Sequence, residues 1–139
     1  MILSGNVILN EKQEIFLLSR NNCLETPGGK VEAKNCIIPL KPSLSELEDE
    51  ATRELYEEVS GIVKIKKTQY LGAYEFVTLK GVKAIAHKFL RIVSGDLKAN
   101  EDIFDKEKSR YYSVSEIEKE SVVPDFPHFL EILKKDFHV

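Results

Sequence analysis

Between Glu50 and Glu58 lie four glutamates, Glu50, Glu54, Glu57 and Glu58, with Arg53 among them. On a helix of 3.6 residues per turn they gather on one stripe, while Leu47, Ala51, Leu55 and Val59 form another that can bury. Like charges three and four residues apart cost about 0.2–0.5 kcal/mol per pair, so helix stability alone gives no reason to stack them. A divalent cation supplies one. Mg²⁺ takes near-octahedral oxygen ligation, and Glu54, Glu57 and Glu58 offer a partial shell that leaves positions open for phosphate oxygens. A solvated acidic face is the plain alternative, and the run alone leaves both readings open. Upstream, Glu25-Thr26-Pro27-Gly28-Gly29-Lys30-Val31-Glu32 adds two glycines that allow close backbone approach and a lysine that can meet an anion.

Taken together, Pro27-Gly28-Gly29-Lys30-Val31-Glu32, Arg53-Glu54-Leu55-Tyr56-Glu57-Glu58 and Gly61-Ile62 resemble the signature of the Nudix hydrolases. That family's pattern runs Gly, five residues, Glu, seven residues, then Arg-Glu-U-x-Glu-Glu-x-Gly-U, with U a bulky aliphatic residue. Both ends match and the middle departs. Ser45 stands where the pattern has its first Glu, the stretch from Gly29 to Ser45 is about ten residues too long, and Val59-Ser60 replace a single residue before the glycine. The surplus, about residues 33–42, contains Pro39 and Pro42 and reads as a loop inserted into the box, which spans 28–62. Loops tolerate this, since doubling their length adds only about 0.6 kcal/mol of closure entropy. Glu46 or Glu48 is expected to substitute in part for the missing glutamate.

The resemblance implies a Mg²⁺-dependent (Mn²⁺ also serving) nucleoside diphosphate-X pyrophosphohydrolase, cleaving a phosphoanhydride by attack of water on phosphorus. A nucleoside triphosphate and a sugar nucleotide such as ADP-ribose both remain open as substrate. By the same carry-over Glu57 and Glu58 are metal ligands, Glu54 a further ligand or the group that handles the water proton, and Arg53 an orienting partner. The Gly28 carbonyl adds a ligand, with Gly29 beside it at the substrate. Lys30 and Arg20 are phosphate-side candidates, Arg20 equally readable as a surface charge. For the acidic residue that many Nudix enzymes draw from a later loop, Glu107 is the candidate, with Glu101 and Asp102 behind it. His87 reads as a residue facing the nucleotide cleft or as a packed or surface histidine of a strand. The missing pattern glutamate motivates the alternative of a catalytically impaired Nudix-fold module that binds a nucleotide or a protein.

The elements that must position these residues are legible in outline. Asn6–Asn10 and Glu14–Arg20 read as a β-hairpin. Ser43 and Glu46 fit a capping box for the main helix, and Gly61 fits the left-handed residue that closes one. Strands are expected at 63–67, 70–79 and 84–93, an exposed loop at 94–102, and a short strand before a helix capped by Ser113 and Glu116. Phe126, Phe129, Leu130, Leu133 and Phe137 make an apolar stripe on a last helix begun by Pro127. This order suits an α/β fold with a mixed sheet between helices, an α/β/α sandwich, which is also the Nudix fold.

At 139 residues, 42% hydrophobic and 31% charged, the chain suits one domain, residues 1–139, with an ordinary core. A net charge of −3 without a basic patch argues against a nucleic acid polymer as partner and leaves a small nucleotide compatible. No apolar run approaches the roughly 20 residues of a membrane span and Met1–Asn6 lacks a secretory pattern, so the expectation is a cytoplasmic protein without membrane contact. Cys23 and Cys36 lack zinc-site spacing and read as thiols or as a disulfide across the glycine turn. The family resemblance admits a homodimer.

Overall fold

The computed structural model describes residues 1–139. Its strands are β1 (Ile2–Leu9), β2 (Ile15–Arg20), β3 (Cys23–Glu25), β4 (Gly28–Lys30), β5 (Val59–Val77), β6 (Lys83–Ala99) and β7 (Arg110–Tyr112). The helices are α1 (Leu44–Glu58), α2 (Val114–Ile117) and α3 (Phe126–Asp136). All strands belong to one sheet of order β3-β2-β1-β6-β5, with β4 added to β1 and β7 to β2.

β1 is the strand on which the others assemble. Its start pairs with β4, Ser4 opposite Gly29 and Gly5 opposite Gly28. Its end forms the expected hairpin with β2, Ile8 opposite Phe16 and Leu9 opposite Ile15. Along its whole length it runs parallel to β6, which makes the sheet mixed. Side chains alternate across a strand, so β1 feeds two layers. Ser4 Oγ donates to the Leu47 carbonyl at 2.5 Å, Asn6 Nδ2 donates to the Ala51 carbonyl at 2.8 Å, and Ile8 packs in one cluster with Leu55 and Val59. Val7 and Leu9 face the other way, into a cluster with Phe126, Phe129, Leu130 and Leu133 of α3. The α/β/α sandwich follows, α1 on one face and α3 on the other. No helix is long and apolar enough to cross a membrane.

The apolar stripe of α1 is buried as its spacing requires, at Leu47, Ala51 and Leu55, and fully burying such a leucine contributes about 1.5–3 kcal/mol. Its start is the expected capping box: Glu46 N–H donates to Ser43 Oγ at 3.1 Å and Ser43 N–H to Glu46 Oε1 at 2.9 Å. Glu46 Oε2 also accepts from the Ile37 N–H at 2.7 Å, tying the inserted loop to the helix start. That loop opens with a 3-10 turn at Ala33–Asn35 and then exposes Ile37, Ile38 and Leu40.

The region after α1 corrects three expectations. Gly61 does not close the helix. Val59, the residue after α1, is already extended, and the chain enters β5 without a turn. Gly61 instead takes φ +95° inside β5, where the strands approach so closely that a Cβ would strike the Asp96 carbonyl. The two short strands expected at 63–67 and 70–79 are one strand of 19 residues, irregular in register at four points. The loop expected from residue 94 is strand as far as Ala99, because so long a β5 needs backbone partners to its start, where Val59 faces Ala99.

Candidate active site

The glycine turn and α1 meet side by side because β4 is hydrogen-bonded to β1 and α1 packs on β1. The β1–β4 approach is close: a Cβ on Gly28 would lie 2.7 Å from Gly5 Cα and 2.8 Å from the Ser4 carbonyl. One residue on, a Cβ on Gly29 would run into the Glu54 carboxylate. Gly28 N–H donates to Glu58 Oε1 at 2.8 Å. The turn and the acidic face, separated in sequence by the inserted loop, are thus in direct contact.

Arg53 organises the other carboxylates. Its guanidinium donates to Glu50, to Glu54 at 2.8 Å and to Glu57 at 2.6 Å. Glu50 and Glu58 are buried, while the Glu57 side chain remains 53% exposed, the most accessible of the group. Burial pushes the Glu58 carboxyl up to about 8, the Gly28 N–H opposing and the charges of Glu54, Glu25 and Glu101 adding to the rise. Glu54 is raised as well, by burial first, with Arg53 opposing and Glu50 and Glu57 contributing. A carboxylate group held at the edge of the core with too little positive charge around it is what a bound cation would relieve. Its donors are all oxygen, the chemistry of a hard cation such as Mg²⁺. As they stand, no three acidic, histidine or cysteine side chains converge on a common point, because the carboxylates are turned onto Arg53 and the Gly28 N–H.

Of the residues expected from the sequence, the structure brings together Gly28, Gly29, Arg53, Glu54, Glu57 and Glu58. Lys30 ends β4, exposed beside them. Arg20 lies at the end of β2, gripping both Glu25 oxygens at 3.0 Å with its guanidinium 5.5 Å from the Phe104 ring centre. Through Glu25, whose charge reaches Glu58, Arg20 borders the acidic group. Glu107 sits exposed in a turn shaped by Asp105 Oδ1, and the later carboxylate that bears on Glu58 is Glu101. His87 lies on β6 with Nδ1 2.7 Å from the Tyr70 hydroxyl. Cys23 and Cys36 are free thiols.

Neither proposed substitute for the missing glutamate joins the group. Glu46 is committed to the cap and the inserted loop, and Glu48 lies 4.0 Å from Arg91. The fourth carboxylate is Glu50, which the helical stripe contained and the family pattern did not single out. Its signal was its place three residues before Arg53, one helical turn away. Glu25 is the other addition, legible only once β2 and β3 are paired.

A family model described as the NUDIX domain matches residues 4–132. Among solved structures, the MutT protein from Methanosarcina mazei Go1 is 25% identical, over 98% of this chain and 94% of that one, with a TM-score of 0.63. A bifunctional NMN adenylyltransferase/ADP ribose pyrophosphatase from Francisella tularensis, complexed with AMP and a Mn ion, is 15% identical with a TM-score of 0.68, over 97% of this chain and 41% of that one. The protein Tm1382 is 20% identical with a TM-score of 0.62, over 85% of this chain and 60% of that one. The last two show the fold alone, and this chain spans less than two thirds of either. No curated protein matches the sequence.

Proposed function

The chain belongs to the Nudix family and is a Nudix-type pyrophosphohydrolase, and from that premise we propose that it hydrolyses, with a divalent cation, a nucleoside diphosphate linked to a further group. The observation that carries this is the buried Glu58, bound to the Gly28 N–H and surrounded by Glu54, Glu25 and Glu101. A bound divalent cation would offset the negative charge of that set. Mg²⁺ is the proposed ion, with Mn²⁺ able to replace it; the Francisella protein, with its AMP and Mn ion, supports both the nucleotide and the metal. Glu57, Glu58 and the Gly28 carbonyl are the proposed holders, with Glu54 beside them.

When bound, such an ion neutralises phosphate oxygens and acidifies a coordinated water. The protein's own groups do the rest. Arg53 fixes Glu50, Glu54 and Glu57 relative to one another through charge-assisted hydrogen bonds. Glu54, whose proton affinity is raised by burial, accepts the proton as the water oxygen bonds to phosphorus and the bridging P–O bond breaks to release the second phosphate. Lys30 meets phosphate charge from the end of β4, and Arg20 does so by exchanging Glu25 for a phosphate. The substrate is a nucleoside triphosphate or a sugar nucleotide such as ADP-ribose.

The test is product release from nucleoside triphosphates, ADP-ribose, other sugar nucleotides and dinucleoside polyphosphates with Mg²⁺ or Mn²⁺, for wild type and Glu57→Gln. Metal-dependent turnover that falls on the order of 100-fold in the variant is expected, the scale on which losing a group that stabilises transition-state charge acts. Turnover indifferent to metal or to the substitution would overturn the assignment.

A further inference from the structure

Asn6 is fully buried on β1, under α1 and directly beside Gly5, and its N–H groups donate to the glycine turn and to α1 without touching a carboxylate. Its side-chain Nδ2 donates to the Pro27 carbonyl at 3.1 Å and to the Ala51 carbonyl at 2.8 Å. Its backbone N–H donates to the same Pro27 carbonyl at 2.8 Å. Pro27 precedes Gly28, and Ala51 stands one helical turn before Glu54 and two before Glu58. The amide therefore spans the gap between the glycine turn and α1 from below, while the Gly28–Glu58 hydrogen bond spans it from above.

The amide itself cannot rotate. Asn6 Oδ1 accepts from Arg91 Nε at 3.0 Å, which fixes which end of the amide carries the NH₂ group. Arg91 is buried too, and its remaining nitrogens donate to Thr68 on β5 at 3.2 Å and Thr52 on α1 at 3.0 Å. No buried polar side-chain atom in the protein lacks a partner, so this is a fully satisfied network. A satisfied polar network rigidifies and specifies one arrangement where an apolar core would tolerate several.

We propose that Asn6 is a positioning residue for cation binding, setting the separation of Gly28 from Glu54, Glu57 and Glu58. The proposal rests on the metal-dependent reading above. Outer partners of this kind orient ligands, and their loss lowers metal affinity about 10–100-fold.

Asn6→Asp tests it, since the shape, the Arg91 contact and the backbone N–H donation to Pro27 survive while both side-chain donations, to Pro27 and to Ala51, are lost. Mn²⁺ binding to the intact protein without substrate is measured by calorimetry, at a temperature where circular dichroism shows wild type and variant folded. The expected result is a dissociation constant raised at least 10-fold, a metal activation constant raised in parallel, and a substrate KM at saturating metal close to wild type. Asn6→Ser, which keeps one hydroxyl donor, should fall between the two and replaces the aspartate variant should that one not fold. Tyr112→Phe, which removes a half-buried hydrogen bond to the Lys108 carbonyl from strand β7, should lower stability and leave Mn²⁺ affinity unchanged. Equal Mn²⁺ affinity in wild type and both Asn6 variants would overturn the inference while leaving the hydrolase reading standing. A wild type that binds no Mn²⁺ and turns nothing over would overturn both.

Discussion

At the scale of the residue, Glu58 shows how the site sets function against stability. A carboxyl raised to about 8 holds a proton at neutral pH that the unfolded chain has released, and that uptake works against folding. Glu58→Gln keeps an oxygen to accept from the Gly28 N–H and is neutral without taking up a proton. The metal-free variant should therefore gain about 1–3 kcal/mol at neutral pH, seen as a higher melting temperature, while losing the further rise that Mn²⁺ gives wild type. A variant no more stable than wild type without metal would show that the burial is harmless. His87 carries the opposite sign. Burial lowers its pKa below the ordinary value of about 6.5, so the unfolded chain takes up its proton first as the pH falls. Its contribution to stability is complete above about 6.5 and is lost as the pH falls through the folded value. Urea unfolding of wild type and His87→Gln at pH 7.5 and pH 5 should show a smaller acid-side loss in the variant, and identical losses would remove His87 from the account.

At the scale of the element, the glycine turn separates positions that serve the fold from those that serve chemistry. An alanine methyl at Gly28 meets backbone, Gly5 Cα and the Ser4 carbonyl, which cannot retreat without parting β4 from β1. Gly28→Ala should cost about 1–3 kcal/mol in urea unfolding. At Gly29 the methyl meets the far end of the Glu54 side chain, which can swing aside. Gly29→Ala should unfold close to wild type and lose turnover, and equal effects of the two changes on stability would refute the distinction. The sequence announced this turn and the helix after it, because glycine pairs, capping residues and helical stripes are local signals. The helical stripe placed Glu50 in the acidic group but not its hold by Arg53, and nothing local announced Glu25, whose role depends on the β2–β3 pairing. Nor did the sequence show that Gly61 belongs to a strand. The glycine has the same preference for positive φ after a helix as inside an irregular hairpin, and only the opposing Gly95, far along the chain, decides between them.

At the scale of the whole molecule, the order of strands leaves one side of β5 without a neighbour for 19 residues. An unpaired edge of that length is a template on which a second chain can crystallise into a fibril, yet it is broken by register shifts at Ser60/Ile62, Ile62/Lys64, Ile65/Lys67 and Tyr70/Gly72. Lys64, Lys66 and Lys67 crowd the same half. These irregularities, awkward as structure, act as insulation. Replacing Lys64 and Lys66 by threonine favours the strand and strips its charge, and light scattering over a rising concentration series should then detect self-association at concentrations where wild type stays monodisperse. A double variant as quiet as wild type would mean that the broken register alone is sufficient protection. In a cell crowded with other exposed strands, that would make the irregular path of β5 a solubility element in its own right.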